Sequence, residues 1–212
     1  MGLVYSKALD GKTSFALWKI EETPEQLYSK LQLKAHEKDY LEKLSHNKRN
    51  LHWLSTRVLL REMLNTTKYI DCQVDTHGKP YLVNFPQHIS LSHSYDYAAV
   101  MISEDKPVGI DIELIKTKIT IVAPKFMNED ELAFIDQENR IDHLYICWCA
   151  KEAIYKLHGK NNVSFLQNIR LRPFVISASG TFAASLELEG YRQDFTIYFE
   201  KFNDYMIGYV AG

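Results

Sequence analysis

Two carboxylates, Asp111 and Glu113, stand two residues apart in the stretch V-G-I-D-I-E-L-I that runs from Val108 to Ile115. On a strand, that spacing puts both on one face, about 7 Å apart along the chain, while Ile110, Ile112 and Leu114 point the other way, into a core. Paired carboxylates beside a buried face repel each other unless something neutralises them. A hard divalent ion does so, and magnesium in particular is usually held by one or two carboxylates together with substrate phosphates and water. The plain alternative is an exposed strand face whose acids sit in water. A second constellation lies in C-W-C-A-K-E-A-I-Y-K-L, Cys147 to Leu157. At 3.6 residues per turn, Trp148, Glu152 and Tyr155 form one stripe, flanked by Lys151 and Lys156. Taken alone, this is an amphipathic helix with a Glu152–Lys156 pair worth roughly 0.2–0.5 kcal/mol. Taken with Asp111 and Glu113, it supplies a third carboxylate and a cation for a metal-assisted site.

A phosphate-bearing substrate also needs donors. Lys79 and Pro80 leave a turn in G-K-P-Y, and Ser92, His93 and Ser94 end a strand in I-S-L-S-H-S. These side chains can donate hydrogen bonds or charge to phosphoryl oxygens, and Arg49, Arg57, Lys151 and Lys156 can add charge. Each has an ordinary counterpart: a solvated turn lysine, a surface histidine, a helix-surface arginine.

The elements that must position these groups follow from periodicity. Phe15 to Ile20 reads as a strand, ended by a helix start with Thr23 as N-cap, Pro24 at the first position and Gln26 completing a capping box. Helical spacing continues through Leu27 and Leu31, through Tyr40, Leu41 and Leu44, and from about Lys48 to Leu64. Alternation at Ile70, Cys72 and Val74, a turn at Thr76 to Gly78, and Tyr81 to Val83 predict a hairpin. His88 to His93 and Tyr97 to Ser103 predict two more strands. After Lys106-Pro107 the order begins again with the Val108 to Ile115 strand. A capping box of Asn128 and Glu131 then opens a helix to about Gln137, with Glu129, Asp130 and Glu131 suiting its dipole. A long helix follows from about Asp142 to Leu157, with Gly159 as its C-terminal cap. Strands are predicted near Ile169 to Arg172, Thr181 to Glu187, Phe195 to Phe199 and Met206 to Val210.

The same order of strand, helices and meander thus occurs twice. W-L-S-T-R-V-L-L-R from Trp53 overlays W-C-A-K-E-A-I-Y-K from Trp148, pairing Trp53 with Trp148, Arg57 with Glu152 and Arg61 with Lys156 at one constant offset. The fold class expected is α+β: two similar α+β subdomains, residues 1–105 and 106–212, arranged as a pseudo-two-fold duplicate with ligands between the halves.

Composition narrows the function classes. The 212 residues are 46% hydrophobic and 25% charged, an ordinary globular balance, and the net charge of -2 argues against a global basic field for nucleic acid. No window approaches 18 uninterrupted apolar residues, so no membrane partner is expected. The three cysteines, Cys72, Cys147 and Cys149, match no zinc spacing and suit a reduced, cytoplasmic protein.

G-K-P, S-H-S, G-I-D-I-E and W-C-A-K-E-A-I-Y-K, in that order from Gly78 to Lys156, together resemble the 4'-phosphopantetheinyl transferase superfamily, in its two-halved Sfp-like type. The resemblance implies transfer of the phosphopantetheine arm of coenzyme A to a serine of an apo acyl or peptidyl carrier protein, releasing 3',5'-ADP, by a monomeric enzyme. It implies that Asp111, Glu113 and Glu152 surround Mg²⁺, with Glu152 as base or ligand, and that Lys156 touches the diphosphate. Lys79, Pro80, Ser92 and His93 would line the adenylate and phosphate side, with Arg49 near the 3'-phosphate; the nucleophile belongs to the partner. The chain departs from the family's pattern after the key helix, where H-G-K-N-N (His158 to Asn162) stands in place of a glycine-rich turn. The same acids and lysines could also serve a Mg²⁺-dependent nuclease, or a non-catalytic protein that binds coenzyme A or a carrier. The pathway the carrier serves is not legible in these residues.

Overall fold

The computed structural model describes residues 2–44 and 48–212. The chain divides into two units: residues up to Asp75 with Pro80–Asp105, and Thr76–Lys79 with Lys106–Gly212.

In the first unit, β1 (Gly2–Ala8), β2 (Thr13–Lys19), β5 (His88–Ser94) and β6 (Tyr97–Ser103) form an antiparallel sheet in the order β1-β2-β6-β5. The helices are α1 (Pro24–Tyr28), α2 (Ala35–Lys43) and α3 (Lys48–Met63), and β3 (Cys72–Val74) with β4 (Pro80–Leu82) makes a separate ribbon. Thr23 and Gln26 form the expected capping box on α1, with Pro24 inside it. The buried face of α3, Leu54 and Val58, joins Ala16, Trp18, Ala98 and Val100 of the sheet in one apolar core.

The second unit holds β7 (Val108–Leu114), α4 (Ile119–Val122), a 3-10 turn (Ala123–Lys125), α5 (Glu129–Ala133), α6 (Arg140–His158), β8 (Ile169–Leu171), β9 (Ser179–Leu188), β10 (Tyr191–Phe202) and β11 (Tyr205–Ala211). Its strands form one antiparallel sheet in the order β7-β11-β10-β9-β8. The core gathers Leu144, Cys147, Ala150, Ile154 and Leu157 of α6 with Leu186, Ile197, Met206 and Val210 of the sheet.

The two units repeat one plan in detail. Strands β2 and β7 start and stop at the same offset that relates Trp53 to Trp148, and so do the last residues of α3 and α6, Met63 and His158. The residue after each strand repeats a hydrogen bond as well. Ile20 N–H donates to the Asp96 carbonyl at 2.8 Å, and Ile115 N–H to the Asp204 carbonyl at 2.9 Å. Both acceptors sit in two-residue hairpin loops opened by a left-handed residue, Tyr95 (φ 50°) or Asn203 (φ 52°). Carried back along the offset, Asp111 and Glu113 fall on Ala16 and Trp18. The first unit therefore has the scaffold without the acids.

Three departures from the sequence reading have physical causes. Gly2–Ala8 forms a strand that alternation alone does not announce; it lies at the sheet edge and pairs with β2 only. The helix opened by Asn128 stops at Ala133 instead of near Gln137. There, Asp136 Oδ1 accepts the N–H groups of Glu138 (2.8 Å) and Asn139 (3.1 Å), while Asp136 N–H donates to His143 Nδ1 at 3.0 Å. Finally, β7 is buried on both faces: Ile110 and Ile112 on one, Asp111 on the other, so the acids do not line an open strand face.

Lys151 requires the clearest correction. Its helical position predicts a flanking charge for phosphate, but its side chain is fully buried, and its ammonium donates to Glu131 Oε2 (2.7 Å), the Phe165 carbonyl (2.9 Å) and the Ile169 carbonyl (3.0 Å). Its three protons have three acceptors. Glu131 is equally occupied. Oε2 also accepts Asn128 N–H (3.1 Å), closing the capping box of α5, and Oε1 accepts Leu171 N–H (2.9 Å) at β8. Burial lowers the pKa of Lys151 from its usual value, and the Glu131 carboxylate opposes that. This one pair ties α5, α6 and β8 together. Removing one partner leaves the other charge buried and alone, so Lys151→Met is expected to lower the unfolding free energy by about 3–5 kcal/mol. Urea unfolding followed by circular dichroism measures it.

Candidate active site

Helix α6 lies unusually close to β7 and β11 because glycines face it. A Cβ built on Gly109 would stand 1.9 Å from the Ala153 carbonyl oxygen, and one on Gly208 would stand 2.8 Å from the Cys149 Cβ. Neither glycine has a left-handed φ, so space, not backbone freedom, demands glycine at both positions. On the helix side the contact is made by the small residues Cys149 and Ala153, one turn apart and fully buried. In the sheet, Gly208 pairs with Asp111 and Val210 with Gly109, so the glycines lie diagonally across adjacent strands.

This approach decides where the acids go. Asp111 follows Gly109 on the same face and is 4% exposed. The Lys156 ammonium, one turn beyond Glu152 on α6, donates to Asp111 Oδ1 at 2.7 Å and to the Ile110 carbonyl at 3.1 Å. Trp148, one turn before Glu152, directs its indole N–H at Glu113 Oε1 over a long 3.4 Å. Glu152 lies between these two contacts, half-buried. Its carboxyl is raised to a pKa of about 7, first by burial and then by the Asp111 carboxylate, with Lys156 pulling it back and Glu113 adding to the rise. Three carboxylates and one ammonium thus share a poorly solvated corner.

That surplus of negative charge suits a divalent cation. Among the described residues, no three His, Cys, Asp or Glu side chains form a ready-made metal cluster. The donor set instead fits an ion such as magnesium, which takes one or two carboxylates and leaves the remaining positions to water and phosphate oxygens.

The other sequence-predicted residues are placed as follows. Lys79 groups with the second unit, where its ammonium donates to the Leu157 carbonyl at the end of α6. Beside it, Gly159 adopts φ 73°, and a Cβ there would stand 2.3 Å from Lys79 Cδ, so the lysine packs on the helix cap itself. Pro80, Ser92, His93 and Arg49 belong to the first unit. Pro80 opens β4, Ser92 is buried in β5, His93 is exposed on β5, and Arg49 is exposed in the first turn of α3. The structure thus brings together Asp111, Glu113, Glu152 and Lys156, and it turns Lys151 away from them. Sequence reasoning gave no role to Gly109 or Gly208; a glycine inside a strand opposite small residues one helical turn apart is the signal for such an approach.

Comparison with known proteins agrees with this geometry. The sequence model of the 4'-phosphopantetheinyl transferase superfamily matches residues 107–210, the stretch that carries the four converging groups. Over this stretch, just under half of the chain, the sequence is that of the superfamily, and its relatives include proteins of the Sfp-like type. It is 37% identical over 92 residues to the 4'-phosphopantetheinyl transferase psf-1 of Bacillus pumilus, covering 42% of this chain and 39% of that protein. It is 33% identical over 102 residues to a putative 4'-phosphopantetheinyl transferase of Haemophilus influenzae, covering 45% and 43%. To the 4'-phosphopantetheinyl transferase Sfp of Bacillus subtilis it is 28% identical over 112 residues, covering 49% and 50%. The chain therefore spans about half the length, or less, of the curated relatives it matches.

Two outcomes follow from the site. Gly109→Ala must lift α6 from β7; it is expected to cost more than the usual overpacking penalty of about 1–3 kcal/mol, while Gly208→Ala, whose clash is milder, costs less. Denaturant unfolding of both variants ranks them. A carboxyl whose folded pKa is raised above 4.5 favours the folded state in its neutral form, so stability falls as pH rises through that window. In chelator, the wild type is expected to lose about 1–3 kcal/mol between pH 4.5 and 7.5, and Glu152→Gln to lose much less over the same range.

Proposed function

We propose that this chain transfers the 4'-phosphopantetheine group of coenzyme A to a serine hydroxyl of an apo acyl or peptidyl carrier protein, releasing 3',5'-ADP, as a Mg²⁺-dependent cytoplasmic monomer. The observation that carries the reading is the convergence of Asp111, Glu113, Glu152 and Lys156 where α6 rests on β7. The superfamily match over the same residues supports it. Among the described residues, no helix is long and apolar enough to cross a membrane.

In this reading, Asp111 and Glu113 would hold Mg²⁺, with Glu152 either a further donor or the base, and the ion when bound would offset the charge of the coenzyme A diphosphate. Lys156 presents its ammonium to the departing phosphate, and Asp111 keeps that side chain oriented. Glu152 receives the serine proton as the hydroxyl oxygen forms its bond to the pantetheine-side phosphorus and the bond to 3',5'-ADP breaks. Acting as the base, Glu152 is raised to about 7 before the cation arrives, and the cation's charge lowers it so that the carboxylate is ionised at neutral pH. Lys79, Pro80, Ser92, His93 and Arg49 contribute to the adenylate and phosphate side. Lys151 is left out of ligand binding and acts by fixing α6. Positioning and electrostatics carry most of such a reaction, so no covalent enzyme intermediate is called for.

The protein, coenzyme A, Mg²⁺ and several apo carrier proteins are incubated together and the carriers weighed by mass spectrometry. A gain of one phosphopantetheine group is expected. Asp111→Ala is expected to abolish the gain with an unchanged circular dichroism spectrum, and Glu152→Gln to slow it by about 10²–10⁴-fold. No gain with any carrier would overturn the reading.

A further inference from the structure

The proposed function gives His93 a place on the phosphate side of coenzyme A, and the structure holds that side chain in an unexpected way. His93 is exposed on β5, yet the imidazole of His52, from α3, lies flat against it, with ring centroids 4.2 Å apart and planes 17° from parallel. His52 is itself fixed from the far edge, where its Nε2 stands 2.7 Å from the main-chain oxygen of Tyr95. A carbonyl oxygen only accepts, so Nε2 carries the proton and the tautomer of His52 is set.

The acceptor is also built in. Tyr95 opens the two-residue loop between β5 and β6 with φ 50°, a conformation uncommon for a non-glycine residue, and the Lys48 ammonium lies 5.5 Å from its ring centroid. Helix α3 thus reaches the hairpin end twice, through Lys48 and through His52. An exposed histidine at a strand end ordinarily samples several rotamers, and a ligand that needs one of them must freeze it out. A parallel ring at stacking distance selects an orientation beforehand.

We propose that His52 is a positioning residue that holds His93 in the orientation that grips a coenzyme A phosphate. This rests on the reading of His93 given above. Residue 52 lies outside the stretch matched by the superfamily model.

The test measures coenzyme A binding to the full chain by calorimetry, together with transfer kinetics. His52→Ala is expected to weaken binding and raise KM for coenzyme A by about tenfold, with kcat within about twofold of wild type. His52→Phe, which keeps a flat ring against His93, is expected to recover most of that loss. In a His93→Ala background, His52→Ala is expected to add nothing, since the two act as one unit. Dephospho-coenzyme A locates the phosphate: a loss confined to coenzyme A marks the 3'-phosphate, and an equal loss for both marks the diphosphate, and either supports the proposal. Additive losses, a fall in kcat alone, or a lowered thermal midpoint with unchanged KM would overturn it and leave the function intact. Failure of the wild type to bind coenzyme A would overturn the function itself, and the proposal with it.

Discussion

The second unit depends on a steric vacancy. Where Gly109 and Gly208 lack side chains, α6 sinks onto β7 and β11 until Ala153 and Cys149 touch backbone. Every electrostatic feature of the site follows from that depth. At the spacing of an ordinary helix–sheet contact, Lys156 would not reach Asp111 at 2.7 Å, and Glu152 would lose the burial, and with it the closeness of the strand carboxylates, that raise it to about 7. The glycines store no strain and make no polar contact. They set a distance, and the distance sets the charges against one another.

A helix that sits this deep must also be held in rotation, since Lys151 and Glu152 are consecutive and a turn of about 100° about the axis would exchange the stripe carrying one for the stripe carrying the other. The Lys151–Glu131 pair provides that restraint. Its two charges are expensive to bury, but every proton and most lone pairs are used, including the N–H groups of Asn128 and Leu171 and the carbonyls of Phe165 and Ile169. A fully satisfied node of this kind contributes orientation more than net stability. Residues of α6 thus divide the work: Lys151, with Glu131 of α5, fixes the scaffold, and Glu152 and Lys156 turn toward the acids of β7.

Much of this was legible in the sequence, and the rest was hidden for identifiable reasons. Period-two and period-3.6 patterns gave most strands and helices. Capping signals placed the starts of α1 and α5, and the spacing of Asp111 with Glu113 and of Glu152 with Lys156 put three acids and an ammonium on elements that pack together. Burial was harder. Lys151 looks like a flanking surface charge because a helical wheel shows where a side chain points and not what lies there; its partner Glu131 was already explained by a capping box. The edge strand Gly2–Ala8 carries too weak an alternation to announce itself. The stacking of His52 on His93 joins α3 to a strand some forty residues later, a contact that no local pattern encodes. The repeat, suspected from Trp53 and Trp148, proved deeper than side chains could tell, since it extends to strand limits, helix ends and a hairpin hydrogen bond. What diverged is the chemistry: Ala16 and Trp18 stand where the second unit has Asp111 and Glu113.

The central claim is that close packing of α6 on the glycine-bearing strands buries Glu152 beside the strand carboxylates and so raises its carboxyl to about 7, ready for a cation and a proton. The most direct measurement is a carbon-13 NMR titration of the Glu152 side-chain carboxyl, assigned by comparison with Glu152→Gln, first in chelator and then with Mg²⁺ and coenzyme A. The account predicts a midpoint near pH 7 in chelator, moving down by more than about one unit when the cation is bound. A midpoint near 4.5 in chelator, unmoved by Mg²⁺ and coenzyme A, would contradict it.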